Sequence, residues 1–488
     1  MKRILIVLTI LVLAGSGCED FLDPDIRSEY NYNNYFQTED DLISFANGIY
    51  GGLISWTWEG GGLFFNNFWV LQDLASDNAY ETGPSIDMHD ISNFTFDPNN
   101  TVFFYIWQQC YEVINSCNIL LQESENIQRY SSPTVKQHLQ GEAYFIRGML
   151  YFELVKLFGD VPLYLAPTRS VQNTLIPRTP RAEVYNSIIS DLSNAESLLV
   201  ENPFQYRREG IPTTSAASAL LAKVYLTRGA LNGNADDFNQ CQIQLEKVLG
   251  KFSLENEFAD IFKLKNANRN EIIWAVNFSA TLGEGWTTGQ FIVRLMPTIV
   301  ADNGVYNGQA WERPTDYLFN SYSSADKRKA ATFITAFDDS LLNGAYIRKY
   351  WDQDAEGGRQ NGESDADFIY LRYADVLLMY AEVLNEIYHS PTTAAYNAIN
   401  DVRNRANVGD LPAGLDYQSF KNAILQERQC EFVMEGQRWY DLVRMGKLYE
   451  KVLLAKPNAN IKQTHTLFPI PQRERYYNPN LTQNEGYQ

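Results

Sequence analysis

The chain has 488 residues, enough for a large core, and carries 59 acidic against 40 basic side chains for a formal net charge of −19 at pH 7. Phosphate binding needs basic patches, so this balance speaks against a nucleic-acid partner and fits a solvated, outward-facing surface. Aromatic residues make up 14% of the chain, with 30 Tyr and 9 Trp, more than a helical core alone would use.

Lys2 and Arg3 precede the apolar run ILIVLTILVLAG, and small residues stand directly before Cys18. This is the layout of a secretory signal peptide over residues 1–17, with an apolar run too short for a comfortable membrane span. The position of Cys18 points to lipoprotein processing, in which cleavage leaves Cys18 as an acylated N-terminus. Several acyl chains anchor a soluble body where a single one does not.

From Thr38 to Tyr50, TEDDLISFANGIY predicts a first helix with an acidic first turn. The following stretch, about 51–100, is rich in Gly, Asn, Asp and aromatics, and only Asn67 to Ala75 shows helical periodicity. Long loops of this kind carry function or are disordered, and Trp56, Trp58, Trp69 and Tyr80 argue for order. A long helix is predicted from Val102 to roughly Glu125. Next comes GEAYFIRGMLYFELVKLFGDVPL, Gly141 to Leu163, where apolar residues surround nearly the whole helical circumference and leave Glu142, Arg147, Glu153 and Lys156 as the charges. Such a helix is buried on several sides. It spans Glu142 to Phe158, about 26 Å at 1.5 Å per residue, and Gly159 followed by Pro162 stops it.

Thr179 as cap and Pro180 as first helical residue mark the next helix. The helix from Thr213 is rich in small residues, and with the segment Asp236 to Leu249 it resembles a tetratricopeptide hairpin. From about 251 to 368 the helix signal lapses. NEIIWAVNFSA predicts a short strand, and glycine-rich polar loops carry Trp286, Tyr306, Trp311 and Trp351. Helices return at Ile369 to Tyr388, at Thr392 to Ala406 behind Ser390-Pro391, and at Tyr417 to Glu435.

Cys110 and Cys117 lie about 10 Å apart along a helix axis, beyond disulfide reach. Together with Cys241 and Cys430 they read as small buried hydrophobes, so no disulfide framework is expected. The histidines His89, His138, His389 and His465 show no H-x-x-x-H spacing, and neither C-x-x-C nor G-x-S-x-G occurs. Zinc sites and nucleophilic triads therefore lack their motifs, and no carboxylate pair stands out for glycoside hydrolysis. No enzyme and no cofactor are expected. Asp352, Asp354, Glu356, Gly357 and Glu363 fall at calcium-loop positions, but Glu at position 5, Arg359 at position 8 and the lack of flanking helices favour a plain acidic loop.

The loop aromatics are the better lead. A pyranose ring has an apolar C–H face that stacks on Trp or Tyr, while amides and carboxylates bond its hydroxyls. Trp286, Tyr306 and Trp311 in the later region, and Trp58 and Tyr80 in the earlier one, have this context, with Asp77, Asn78 and Asn303 as polar partners. Arg372, Asp375, Glu382, Arg403, Glu427, Glu435, Arg438 and Asp441 sit in strongly apolar helices and read as scaffold ion pairs, since buried charges pair.

Five stretches in order resemble the SusD/RagB family of nutrient-binding surface lipoproteins of Bacteroidota. They are CEDFLD after the leader, EAYFIRGMLYFELVKLFGDVPL, LRYADVLLMYAEVLNE from Leu371, INDVRNRA from Ile399, and the C-terminal pair ERQCEFVMEGQRWYDLVRMGK and LFPIPQRERYYNPNLTQNEGYQ. The resemblance covers nearly the whole mature chain. It implies a mostly α-helical fold over 18–488, with a tetratricopeptide-like scaffold at about 38–50, 101–250 and 369–450. A ligand face is implied from the loop-rich parts at about 51–100 and 251–368. It further implies lipid anchoring through Cys18 on the outer face of the outer membrane, an oligosaccharide ligand, and a SusC-like TonB-dependent transporter as partner. A peptide ligand or a non-catalytic scaffold role remains open at this point.

Overall fold

Thr38 starts the first helix with a reciprocal cap, its hydroxyl accepting from the Asp41 amide while the Asp41 carboxylate accepts from the Thr38 amide at 2.7 Å. Such a box satisfies end groups that the helix cannot pair internally. The computed structural model describes residues 35–57, 61–202, 210–266, 269–278, 289–301, 304–337, 340–352 and 365–487. In chain order these form α1 (Glu39–Ile54), β1 (Trp56–Thr57), β2 (Gly61–Gly62), α2 (Phe68–Leu74), β3 (Ala79–Glu81), α3 (Ile86–Asn93), α4 (Thr101–Asn126), α5 (Pro133–Phe158), α6 (Arg181–Leu198), α7 (Thr214–Asn232) and α8 (Ala235–Glu246). The insertion holds β4 (Ile272–Val276), α9 (Phe291–Leu295), β5 (Thr298–Ala301), β6 (Gly304–Asn307), β7 (Glu312–Pro314), α10 (Asp316–Ser321), α11 (Lys327–Thr332), β8 (Phe333–Phe337) and β9 (Ser340–Ile347). The last part holds β10 (Phe368–Arg372), α12 (Tyr373–Tyr388), α13 (Thr393–Arg405), α14 (Tyr417–Glu431), α15 (Arg438–Arg444), α16 (Leu448–Ala455) and α17 (Gln472–Tyr477).

The fold is mostly helical with short strands, as expected. Helix α5 is the hub, packing on α4 and α6, while α7 packs on α6 and α8, and α12 on α8, α13 and α14. The four charges between Glu142 and Phe158 explain its wording, because each is buried and each is paired. Glu142 accepts from the Tyr50 hydroxyl of α1 at 2.6 Å, and Arg147 grips Asp191 of α6 at 2.6 and 2.8 Å. Glu153 bonds Lys156 at 2.7 Å and accepts from the Tyr370 hydroxyl of β10. The apolar circumference thus meets neighbours on several sides, and the polar exceptions fix which neighbour sits where. The helix begins at Pro133 behind the Ser132 cap, earlier than the apolar pattern indicated, and ends at Gly159 with φ +73°.

Three expectations shift. Thr179 does not cap α6; its backbone pairs with Val161 in an isolated bridge, and Pro180 takes the cap position. Residues 369–372 belong to strand β10, paired antiparallel with β4 from Phe368 opposite Val276 to Arg372 opposite Ile272. Both strands are buried throughout, so their apolar runs lack the alternation that marks a half-exposed strand. Finally, α14 stops at Glu431, and Met434 and Gly436 adopt left-handed backbone.

The charged residues within apolar helices form ion pairs, as read from the sequence. Arg372 binds Glu271, Glu431 and Glu435, Arg428 binds Asp375 and Asp441, and Arg403 binds Glu427. Arg444 joins Glu382 to Asp441. Cys110, Cys117, Cys241 and Cys430 are buried free thiols. Among the described residues, no helix is long and apolar enough to cross a membrane.

Candidate functional site

Strands β3 and β7 pair antiparallel and so join the two loop-rich regions. Tyr80 stands opposite Arg313 and Glu81 opposite Glu312. Beyond the strand ends the Thr82 amide donates to the Trp311 carbonyl at 2.6 Å, and the Thr82 hydroxyl donates to the Ala310 carbonyl at 2.8 Å. Strand alternation sends Tyr80 and Arg313 to one face and the two glutamates to the other. The first pair is half-buried and the second buried.

On the buried side Arg294 of α9 bonds both carboxylates, Glu81 at 3.2 Å and Glu312 more closely. Two carboxylates share one guanidinium in a dry setting, and burial pushes the Glu312 carboxyl up to about 7. Burial raises Glu81 as well, against the Arg294 charge. The same guanidinium lies 5.2 Å from the centre of the Trp311 ring, within cation–π range. Gly83 packs against that ring so closely that a Cβ there would stand 2.5 Å from Trp311 Cγ. Trp311 is therefore held by its backbone, by Arg294 and by Gly83, yet stays half-exposed. A ring fixed in this way loses little freedom when a ligand stacks on it.

The flank is also ordered. Arg313 lies 4.1 Å from the centre of the Tyr346 ring of β9 and donates to the Ala345 carbonyl at 3.3 Å. His89 Nε2 bonds the Gly83 carbonyl at 2.7 Å. Strand β6, which carries Tyr306, pairs with β5 with Tyr306 opposite Ile299. The chain from there to Trp311 is held on α9, where the Gln309 and Ala310 amides donate to the Val293 carbonyl at 2.7 and 3.2 Å.

The structure thus joins Tyr80 to Trp311 through one β-ribbon and packs the strand of Tyr306 on α9, the helix that β7 also meets. Asp77 and Asn78 require a correction as exposed polar partners, because both have 0% exposure. Asp77 receives two bonds from Arg438, at 2.7 and 2.8 Å, and one from Gln429. Asn78 donates to Asp73 at 2.8 Å. They anchor the early region to the scaffold, helped by Lys456, whose ammonium donates to the Leu74 and Ala79 carbonyls at 2.6 and 3.0 Å. Burial brings that ammonium down to about 7. Trp351 is buried as well, with Arg348 over its ring.

Trp58, Trp286, Asn303 and Cys18 lie outside the described residues, as do Asp354, Glu356 and Glu363 of the acidic loop. Asp352 is described and accepts from the Leu264 amide at 3.0 Å. Among the described residues no cluster of His, Cys, Asp or Glu is arranged to hold a metal. Sequence reasoning missed Arg294, Glu81, Gly83, Arg313 and Tyr346. Alternation around Tyr80 was the available signal for Glu81; Arg294, Gly83 and Arg313 depend on a pairing between strands more than 200 positions apart, and Tyr346 on the packing of β9 against β7.

A model described as the SusD family matches residues 335–487, and one described as starch-binding, associating with outer membrane, matches residues 20–226, between them most of the chain. The chain is 28% identical to SusD-like protein P2 of Formosa agariphila over 100% of both chains. A SusD homologue from Bacteroides thetaiotaomicron superposes with a TM-score of 0.83 at 22% identity, covering 95% of this chain and 100% of that one. Surface glycan-binding protein A from the same species, in complex with laminarihexaose, superposes with a TM-score of 0.77 at 19% identity over 92% and 100%.

Proposed function

The chain belongs to the SusD/RagB family, and on that premise we propose that it is a lipid-anchored surface protein that captures an oligosaccharide and delivers it to a SusC-like TonB-dependent outer-membrane transporter. The observation that carries the reading is the fixed, half-exposed Trp311 ring at the end of the β3–β7 ribbon, beside Thr82 and near Tyr80 and Arg313. Ring stacking supplies a platform for a sugar face, the Tyr80 hydroxyl and the Arg313 guanidinium supply donors for its oxygens, and the Thr82 hydroxyl, which donates to the Ala310 carbonyl, supplies an acceptor. No bond is broken in this role, and affinity stays modest because delivery requires release. Cys18 carries the lipid, and the acidic mature body faces outward.

A glucan ligand is the first to try, since a relative of the same fold is known with laminarihexaose. Calorimetry of the soluble chain beginning after Cys18, against a panel of oligosaccharides that includes laminarihexaose and with product analysis of each mixture, tests the proposal. Saturable binding without new products supports capture. Turnover of any panel member, or no binding to all of them, overturns it.

A further inference from the structure

Away from the β3–β7 ribbon, a cleft of about 540 Å³ opens between α4, the segment from Pro162 to Leu175, and the C-terminal stretch from Glu474 to Leu481. Trp107 forms its floor and is 3% exposed. Tyr111 stands 5.2 Å from Trp107 and 5.5 Å from Tyr164, the latter pair edge to face at 84°. Tyr477, 64% exposed, forms the rim. Three aromatic walls at these distances make a preformed box.

The polar atoms of the box are largely occupied by its own frame. The Tyr111 hydroxyl donates to the Pro162 carbonyl at 2.8 Å and the Tyr164 hydroxyl to the Thr174 carbonyl at 2.7 Å. Asn115 accepts from the Thr168 amide at 2.8 Å, and the Asn478 amide donates to the Ile176 carbonyl at 2.7 Å. A polyhydroxylated ligand would find few open partners. What the cleft offers is ring faces and two carboxylates, Glu112 and Glu474, with neither Lys nor Arg in its lining. Arg473, on the adjoining helix α17, lies 4.5 Å from the Phe104 ring and also meets the Tyr477 hydroxyl at the rim. Glu474 is half-buried beside the Trp107 indole and burial raises its carboxyl, while Glu112 is exposed.

Ring faces flanked by carboxylates recognise cations, which the ring quadrupole attracts and the carboxylates neutralise. We propose that this cleft docks a basic segment of a partner protein, with one Lys or Arg side chain inserted among Trp107, Tyr111, Tyr164 and Tyr477. The net charge of −19 adds steering for such a segment. The box shares no element with the β3–β7 ribbon, so this docking is separate from sugar capture.

The test uses the soluble chain beginning after Cys18 and a blocked pentapeptide in which two arginines flank a leucine. Its glutamate counterpart and laminarihexaose serve as comparisons. The basic peptide binds saturably, more weakly as salt rises, and loses about tenfold in affinity in Tyr477→Ala and in Glu112→Gln, consistent with one or two charged contacts. Both positions lie at the surface, so folding is retained and is checked by melting. No saturable binding of the basic peptide, equal binding of the acidic one, or an unchanged affinity in Tyr477→Ala overturns the proposal. Loss of laminarihexaose affinity in Tyr477→Ala also overturns it, by making the cleft a sugar subsite.

Discussion

Arg438 of α15 grips Asp77 with two hydrogen bonds, at 2.7 and 2.8 Å, across 361 positions of sequence. Both side chains are buried, at 3% and 0% exposure. The contact clamps the segment before β3 to the C-terminal scaffold, so the ribbon bearing Tyr80 and Trp311 stands on a fixed base. Removing one partner of such a pair leaves an uncompensated buried charge, which costs about 3–5 kcal/mol. Arg438→Ala is therefore expected to lower stability by that amount in chemical denaturation. A loss below about 1 kcal/mol contradicts the clamp.

Gly83 tests the seating of Trp311 without touching the tryptophan itself. A Cβ at this position meets Trp311 Cγ and a Glu81 carboxylate oxygen at 2.5 Å each. Overpacking of this kind costs about 1–3 kcal/mol and shifts the ring. Gly83→Ala is expected to reduce oligosaccharide affinity several-fold and to change Trp fluorescence while the chain remains folded. Wild-type affinity in this variant refutes a role for the ring's placement.

His465 gives the fold an acid-sensitive component. Its ring stacks on Phe94 and Tyr487 at 5.7 and 5.9 Å, and its Nδ1 accepts from the Lys462 amide at 3.2 Å. Burial, with the Lys462 charge, brings the imidazole down to about 4. An unfolded His titrates near 6.5, so the unfolded chain binds the extra proton first. Stability from this group is complete above about pH 6.5 and is lost as pH falls towards 4. His465→Phe keeps the stacking and removes the titration. Between pH 7 and 5 the wild type is expected to lose more melting temperature than this variant, and equal losses contradict the assignment.

Cys18 carries the anchoring claim. In Cys18→Ser expressed from the full sequence, the protein is expected to leave the detergent phase on phase separation and appear in the soluble fraction. Continued partition with membranes shows that something other than lipid on Cys18 holds it.

The sequence showed the scaffold well because its helices carry long apolar patterns and marked ends, such as Thr38, Thr213 and Gly159. It also announced the ion pairs, since Arg372, Asp375 and Arg438 stand in apolar surroundings where charges need partners. Ile369 to Arg372 misled because a fully buried strand and a buried helix turn look alike over four residues. Helix α3 was missed because its eight residues include only a few apolar ones, Ile86, Met88 and Ile91. At the site, Tyr80 and Trp311 were legible as loop aromatics. Asp77 was misjudged because nothing local reveals that its partner is Arg438, and Arg294 was overlooked because its two carboxylates come from separate regions.

The central claim is that Trp311 is the stacking platform for a captured oligosaccharide. It is tested most directly by calorimetric titration of wild type and Trp311→Ala with the tightest-binding member of the panel. A lost stacking contact costs about 1–3 kcal/mol by analogy with ring stacking on bases, about a 5- to 150-fold loss of affinity, with the Arg294, Glu81 and Glu312 cluster left in place. Affinity within twofold of wild type for a well-folded Trp311→Ala protein would contradict the account and move the ligand site away from the β3–β7 ribbon.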